Sequence, residues 1–128
     1  MSARLSLVSL LLLASWSSAS SRREYVVRWQ REGELGSERR ELVEQADLQL
    51  RDALRRCGAA VLDGEPTPTT IVLRPRLEVL PGGLLLRVVG LRDEKLLGTI
   101  ATKATGASRR AQVRAVVSRV CDEASRLE

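Results

Sequence analysis

Arg74, Arg76, Arg87, Cys57 and Cys121 are the residues of this chain whose types and spacing could do chemistry. What surrounds them narrows that chemistry sharply. The chain has no His, so a serine or cysteine nucleophile would lack its usual imidazole base. Neither a G-x-S-x-G elbow nor a phosphate-cradling glycine loop is present. Two cysteines far apart in the chain do not make a zinc site. Asp63, Glu65, Asp93 and Glu94 fall in loops, where turn chemistry and solubility account for them; a pair of them is the remaining route to acid–base catalysis. The expectation is a protein with no catalytic residue, no metal and no cofactor.

The arginines belong to a hairpin. Ile71, Leu73, Leu77 and Val79 alternate with Arg74, Arg76 and Glu78 as a half-buried strand does, and Pro75 suggests an edge or a bulge. Leu80-Pro81-Gly82-Gly83 suits a type II turn that folds Leu84 to Leu91 back as the partner strand. That register sets Leu77 opposite Leu86, Val79 opposite Leu84 and Arg76 opposite Arg87. Arg74, Arg76 and Arg87 then converge on one face with Glu78 nearby. Like charges directly opposed are destabilising, and an anionic group on a partner would relieve them, which makes this face a candidate anion-binding or docking surface. The alternative is a solvated face on which Glu78 bridges two of the three. Nucleic acid is not expected, because the aromatics after the leader, Tyr25 and Trp29, are assigned to the core side of the first strand.

The cysteines point to compartment. Residues 1–19 read as a secretory signal: Arg4 supplies the positive end, Leu5 to Trp16 is apolar, and Ser17-Ser18-Ala19 offers small residues for cleavage. The apolar run is too short to leave a stable transmembrane segment after processing. No Cys follows it directly, which argues against a lipid-anchored precursor. Residues 20–128 are then one domain of a periplasmic or secreted protein, in which an even number of cysteines persists as disulfides. The precursor carries a net charge of +5. Because acidic and basic residues are interspersed, that excess is a weak pointer to anionic surfaces.

The remaining elements must position these residues. Tyr25, Val27 and Trp29 alternate with Arg28 and Gln30 as a first strand. A helix follows from a Ser37 N-cap, with Glu38, Glu41 and Glu44 near its start. Its apolar stripe is Leu42, Val43, Ala46, Leu50, Ala53, Leu54 and Cys57; Arg55 and Arg56 lie at its end and Gly58 stops it. Ala60 to Leu62 is a brief extended piece. A second hairpin turns at Asp93-Glu94-Lys95; a three-residue loop sets Ile100 opposite Val88 and Gly98 opposite Gly90, whereas a four-residue loop would flip the face. A last helix from Ser108 carries Val113, Val116, Val117, Val120, Cys121, Ala124 and Leu127. The fold expected is α+β: a two-layer sandwich in the order β-α-β-β-β-α, an antiparallel sheet of about four strands with two helices on one face. Alternating strand directions make the two helices parallel, so their C-terminal ends meet and Cys57 pairs with Cys121.

The run from Ile71 to Leu127, strand, P-G-G turn, strand, D-E-K turn, strand and Arg-rich amphipathic helix, resembles small periplasmic domains of the TolB N-terminal type, with LpoB and CsgG domains as looser relatives. Those relatives work as docking modules in envelope assemblies, so the resemblance implies binding to another protein or an anionic envelope component. Two other functions remain open from the residues: a carrier of a small apolar or anionic ligand, and a small carboxylate-based enzyme.

Overall fold

The computed structural model describes residues 23–30, 37–106 and 108–127. The predicted export signal lies outside these, as does the side chain of the predicted N-cap, Ser37. The elements run β1 (Glu24–Val27), α1 (Ser37–Arg56), β2 (Ala60–Val61), β3 (Ile71–Leu80), β4 (Gly83–Arg92), β5 (Lys95–Thr105), α2 (Arg109–Ser118) and α3 (Val120–Ala124). The strands form one five-stranded sheet in the order β2-β1-β3-β4-β5. It is α+β with its helices on one side, as expected, but the sheet is mixed: β1 runs parallel to both β2 and β3, and the remaining pairs are antiparallel. The expected antiparallel sheet of about four strands gains the two-residue β2 as a fifth, which pairs through Glu24↔Ala60 and Tyr25↔Val61, and β1 joins β3 in parallel.

The core lies between the helices and one face of this sheet. Leu42, Ala46, Leu50 and Leu54 recur at helical spacing and bury the stripe of α1; Val113, Val116, Val117 and Val120 do the same for α2 and the start of α3. They meet Ile71, Leu73, Leu77, Leu84, Leu86, Val88 and Ile100, which alternate along β3, β4 and β5. Val79 shares this side but stays 40% exposed, because the hairpin end extends past β1. Polar ties orient α1 on the sheet: Trp29 Nε1 donates to Asp47 Oδ1 at 2.8 Å, Arg51 Nε donates to the same carboxylate at 3.0 Å, and Arg39 donates to Leu77 O at 2.9 Å.

Helix ends follow local rules. After α1 the Gly58 N–H reaches Arg55 O and the Ala59 N–H reaches Leu54 O, with Leu54 and Ala59 both buried; this is the paired hydrogen bonding of a Schellman stop. Ser108 caps α2, its hydroxyl accepting from Ala111 N. The single last helix expected from Ser108 to Leu127 is instead divided at Arg119. The Thr102 hydroxyl on β5 donates to Val116 O at 2.9 Å, the carbonyl that Val120 N–H would use in an unbroken helix, and a side chain entering the ladder in this way divides helices.

The first hairpin has the predicted register, with Leu77↔Leu86, Val79↔Leu84 and Arg76↔Arg87. Gly82 holds φ +69, the left-handed position that a type II turn requires of its third residue. Pro75 sits at neither a sheet edge nor a bulge; it pairs with Val88 in the third strand of five. Its carbonyl accepts from Gln30 N, so its missing N–H faces the same side, and the ladder bond it cannot donate there coincides with the end of β1 at Val27. The second hairpin is also corrected. Asp93 and Glu94, at φ 50 and 64, form a two-residue turn that pairs Arg92 with Lys95, and a bulge at Gly90/Leu91 restores Gly90↔Gly98 and Val88↔Ile100.

The Gly90 and Gly98 pair makes a bare patch of sheet on which the last helical segment rests. A Cβ on Gly90 would stand 2.7 Å from Leu127 Cδ1, and one on Gly98 would stand 2.9 Å from Leu127 Cδ2. Cys57 and Cys121 form the predicted disulfide, with Cα atoms 6.4 Å apart. Gln49 and Ala53 of α1 line one groove with Arg114 and Val117 of α2 beside this bridge.

Two predictions test this packing. Reducing the disulfide should lower unfolding stability by about 4 kcal/mol on the chain-entropy model, read as a shift in denaturant midpoint with and without reductant. Gly90→Ala should destabilise by about 1 kcal/mol through overpacking against Leu127, and that loss should vanish in a Leu127→Ala background, as a double-mutant cycle in urea would show.

Candidate functional site

The candidate site is the outward face of the sheet, and strand alternation builds it. Because Leu73 and Leu77 point into the core, Val72, Arg74, Arg76 and Glu78 must point away from it. The register then sets the outward rows: Val26, Val72, Leu91 and Leu96; Arg74, Val89 and Thr99; Arg76, Arg87 and Ala101; Glu78, Leu85 and Lys103. Arg28 joins the second row. Its N–H donates to Leu73 O at 2.8 Å and that of Gln30 to Pro75 O at 2.9 Å, extending the parallel pairing so that Arg28 lies beside Arg74.

Of the three arginines singled out by sequence, two meet. Glu78 Oε1 stands 3.6 Å from Arg76 Nε and 3.8 Å from Arg87 Nε, so the carboxylate bridges the directly opposed guanidiniums. Bridging offsets the repulsion without hiding the pair: the Arg76 and Arg87 side chains remain 39% and 55% exposed. Arg74 stands one row away, exposed, and its side chain makes no ion pair among the described residues. Its basic neighbour is Arg28, whose partner Glu65 lies at 3.3 Å but is 91% exposed, a setting in which an ion pair is worth little. Lys103 is exposed on β5 at the far end of the face.

Sequence reading missed Arg28 and Lys103. The signal for Arg28 was present, since it alternates with Val27 and Trp29. Its neighbour was hidden, because nothing local says that β1 lies beside β3 and runs parallel to it. Lys103 alternates with Thr102 and Ala104 in the same way, but its row depends on the bulge at Gly90/Leu91.

The other carboxylates take ordinary places. Asp63 Oδ1 lies 3.5 Å from Arg51 Nη1 and is 94% exposed. Glu65, Asp93 and Glu94 border a groove whose floor includes Arg28, Arg74, Arg76 and Leu91. Among the described residues no cluster of His, Cys, Asp or Glu could hold a metal ion, and no helix is long and apolar enough to cross a membrane.

With this geometry, comparison with known proteins separates fold from function. No protein-family model and no curated protein matches the chain. Among solved structures it is similar to a PelC dodecamer from Paraburkholderia phytofirmans, at 12% identity over 77% of this chain and 82% of that one, with a TM-score of 0.56. The likeness is one of fold. The N-terminal domain of Protein Y from Thermus thermophilus aligns over 84% of this chain and 98% of its own, at 16% identity and a TM-score of 0.38.

The Glu78 bridge gives this site its own test. Glu78→Gln should lower stability by up to about 1 kcal/mol at low ionic strength, because the carboxylate charge between Arg76 and Arg87 would be removed. The loss should shrink as salt screens the pair, which urea unfolding at about 20 mM and about 500 mM NaCl would report.

Proposed function

We propose that the chain is an exported, non-enzymatic binding or scaffold module of the bacterial envelope, docking a partner through the outward sheet face around Arg74, Arg76 and Arg87. The observation that carries this reading is one-sided coverage by the described helices. Both long helices pack on the face bearing Leu73, Leu86 and Val88, while the opposite face presents Arg and Lys side chains among Val72, Leu85, Val89 and Leu91. A sheet face of that composition suits protein docking, where Arg combines charge with contact area. The resemblance of residues 71–127 to envelope docking domains supports the same role.

Export rests on the leader pattern of residues 1–19, with 20–128 as the working domain, and the Cys57–Cys121 disulfide supports an oxidising compartment. The periplasm or the exterior of the cell is the setting in which all of these features are useful together.

One experiment addresses both parts. The tagged protein, recovered from the exported fraction, should have an intact mass lacking residues 1–19 and no free thiol before reduction. Used as bait in envelope extracts, it should retain a partner that the Arg76→Glu, Arg87→Glu variant loses. Unchanged capture by that variant would sink the docking face, and a full-length mass with two free thiols would sink the export reading.

A further inference from the structure

The cations of the outward face are not scattered. Taken with the register, they step across four strands of the sheet: Arg28 on β1 beside Arg74 on β3, Arg76 one row further along β3 beside Arg87 on β4, then Lys103 one row further on β5. Neighbouring strands lie about 4.8 Å apart and same-side residues about 6.7 Å apart along a strand, so the track is on the order of 20 Å long, the length of roughly six extended residues.

We propose that this diagonal track binds an acidic, extended segment of a partner protein in which carboxylates alternate with apolar side chains. This rests on the docking reading above and names the chemistry of the partner.

Three features select that occupant. The first is charge. Glu78 bridges Arg76 and Arg87, and Glu65 meets Arg28 at the exposed rim, but Arg74 and Lys103 make no ion pair among the described residues, so the track attracts anions. Four of its five cations are Arg, whose planar fork takes carboxylates in two parallel hydrogen bonds. The second is spacing. Arg74 and Arg76 are two residues apart on one strand, the same interval at which an extended ligand presents alternate side chains to one side. The third is the company the cations keep. Val89 lies beside Arg74, Ala101 beside Arg87, and Leu85 beside Lys103, so each row offers an apolar neighbour to the methylene stem of a ligand carboxylate side chain.

Nucleic acid fits less well. The described aromatics are turned to the other side, Tyr25 buried in the core and Trp29 bonded to Asp47 on α1, so this face has no ring on which bases could stack. A lipid surface would meet the charges but would make no use of the two-residue interval.

The test uses the exported, disulfide-bonded protein and a fluorescein-labelled peptide of alternating Glu and Val, with a Gln/Val counterpart, oligo-dT, and phosphatidylglycerol vesicles as comparison probes. The Glu peptide should bind, and the Gln peptide should bind about tenfold more weakly or not at all, as charge complementarity requires. Arg74→Glu with Lys103→Glu, both exposed positions, should weaken Glu-peptide binding about tenfold with an unchanged circular dichroism spectrum. Arg110→Glu with Arg114→Glu, exposed on α2, should leave it unchanged. Equal binding of the Glu and Gln peptides, or an equal loss in the α2 variant, would overturn the proposal. So would binding confined to vesicles or to oligo-dT. If envelope capture still depends on Arg76 and Arg87 while the Glu peptide fails to bind, the docking reading stands and the acidic-segment assignment falls.

Discussion

The ladder between β3 and β4 is the constraint on which the rest depends. Its pairs run without interruption from Ile71↔Arg92 to Leu80↔Gly83. Because side chains alternate with a period of two, a slip of β3 by one residue against β4 would send Leu73 and Leu77 outward and bring Arg74 and Arg76 beneath the helices. Burying two guanidiniums among those aliphatic side chains is prohibitive, so the hydrophobic face and the cationic face enforce the same register from opposite sides. The Pro81-Gly82 turn closes the ladder at the position that agreement demands.

Hairpin chemistry explains what could be read from sequence. The β3–β4 register, the inward set from Ile71 to Ile100, the Gly58 stop and the Ser108 cap all depend on residues close in the chain, and alternation or capping residues announced them. The meeting of Cys57 and Cys121 was also legible, because strand directions alternate through one meander and leave few ways to arrange two helices. What was hidden depends on distant partners. The parallel insertion of β1 between β2 and β3 has no local signature, and with it went the place of Arg28. Thr102 acting on Val116 crosses from strand to helix, so the division at Arg119 left no mark in the periodicity of Val113, Val116, Val117 and Val120. The tight Asp93-Glu94 turn and the bulge beside Gly90 together mimic a three-residue loop, which is why the register beyond them was right although the loop was not.

Buried polar groups show how the core and the outward face are kept distinct. Gln112, 3% exposed, donates to Gly106 O at 2.8 Å and accepts from Arg109, which in turn donates to Gly83 O. Asp47 gathers Trp29 and Arg51 on the other helix. Each of these groups faces the helical side and has its partner there, as buried polar groups must. On the outward side the Glu78 carboxylate stands 3.6 Å and 3.8 Å from two guanidiniums, beyond direct hydrogen-bond distance of either Nε. One face is closed by specific bonds; the other retains its capacity to make them.

The insertion of β1 also shapes the order in which the molecule can assemble. The β3–β4–β5 meander and α2 form from neighbours in sequence, where loop closure is least demanding, whereas Tyr25 must find both Val61 and Ile71 across the whole of α1. A chain delivered N-terminus first would expose the β1 segment before either of its neighbours exists. Until they arrive, the edge of β3 that receives β1 is an open template for any extended strand in the vicinity, and the Cys57–Cys121 bridge, which encloses the meander but leaves β1 outside its loop, does nothing to shorten that interval. The earliest-made strand is thus the last to be secured, which makes its docking the step most exposed to competition from other polypeptides.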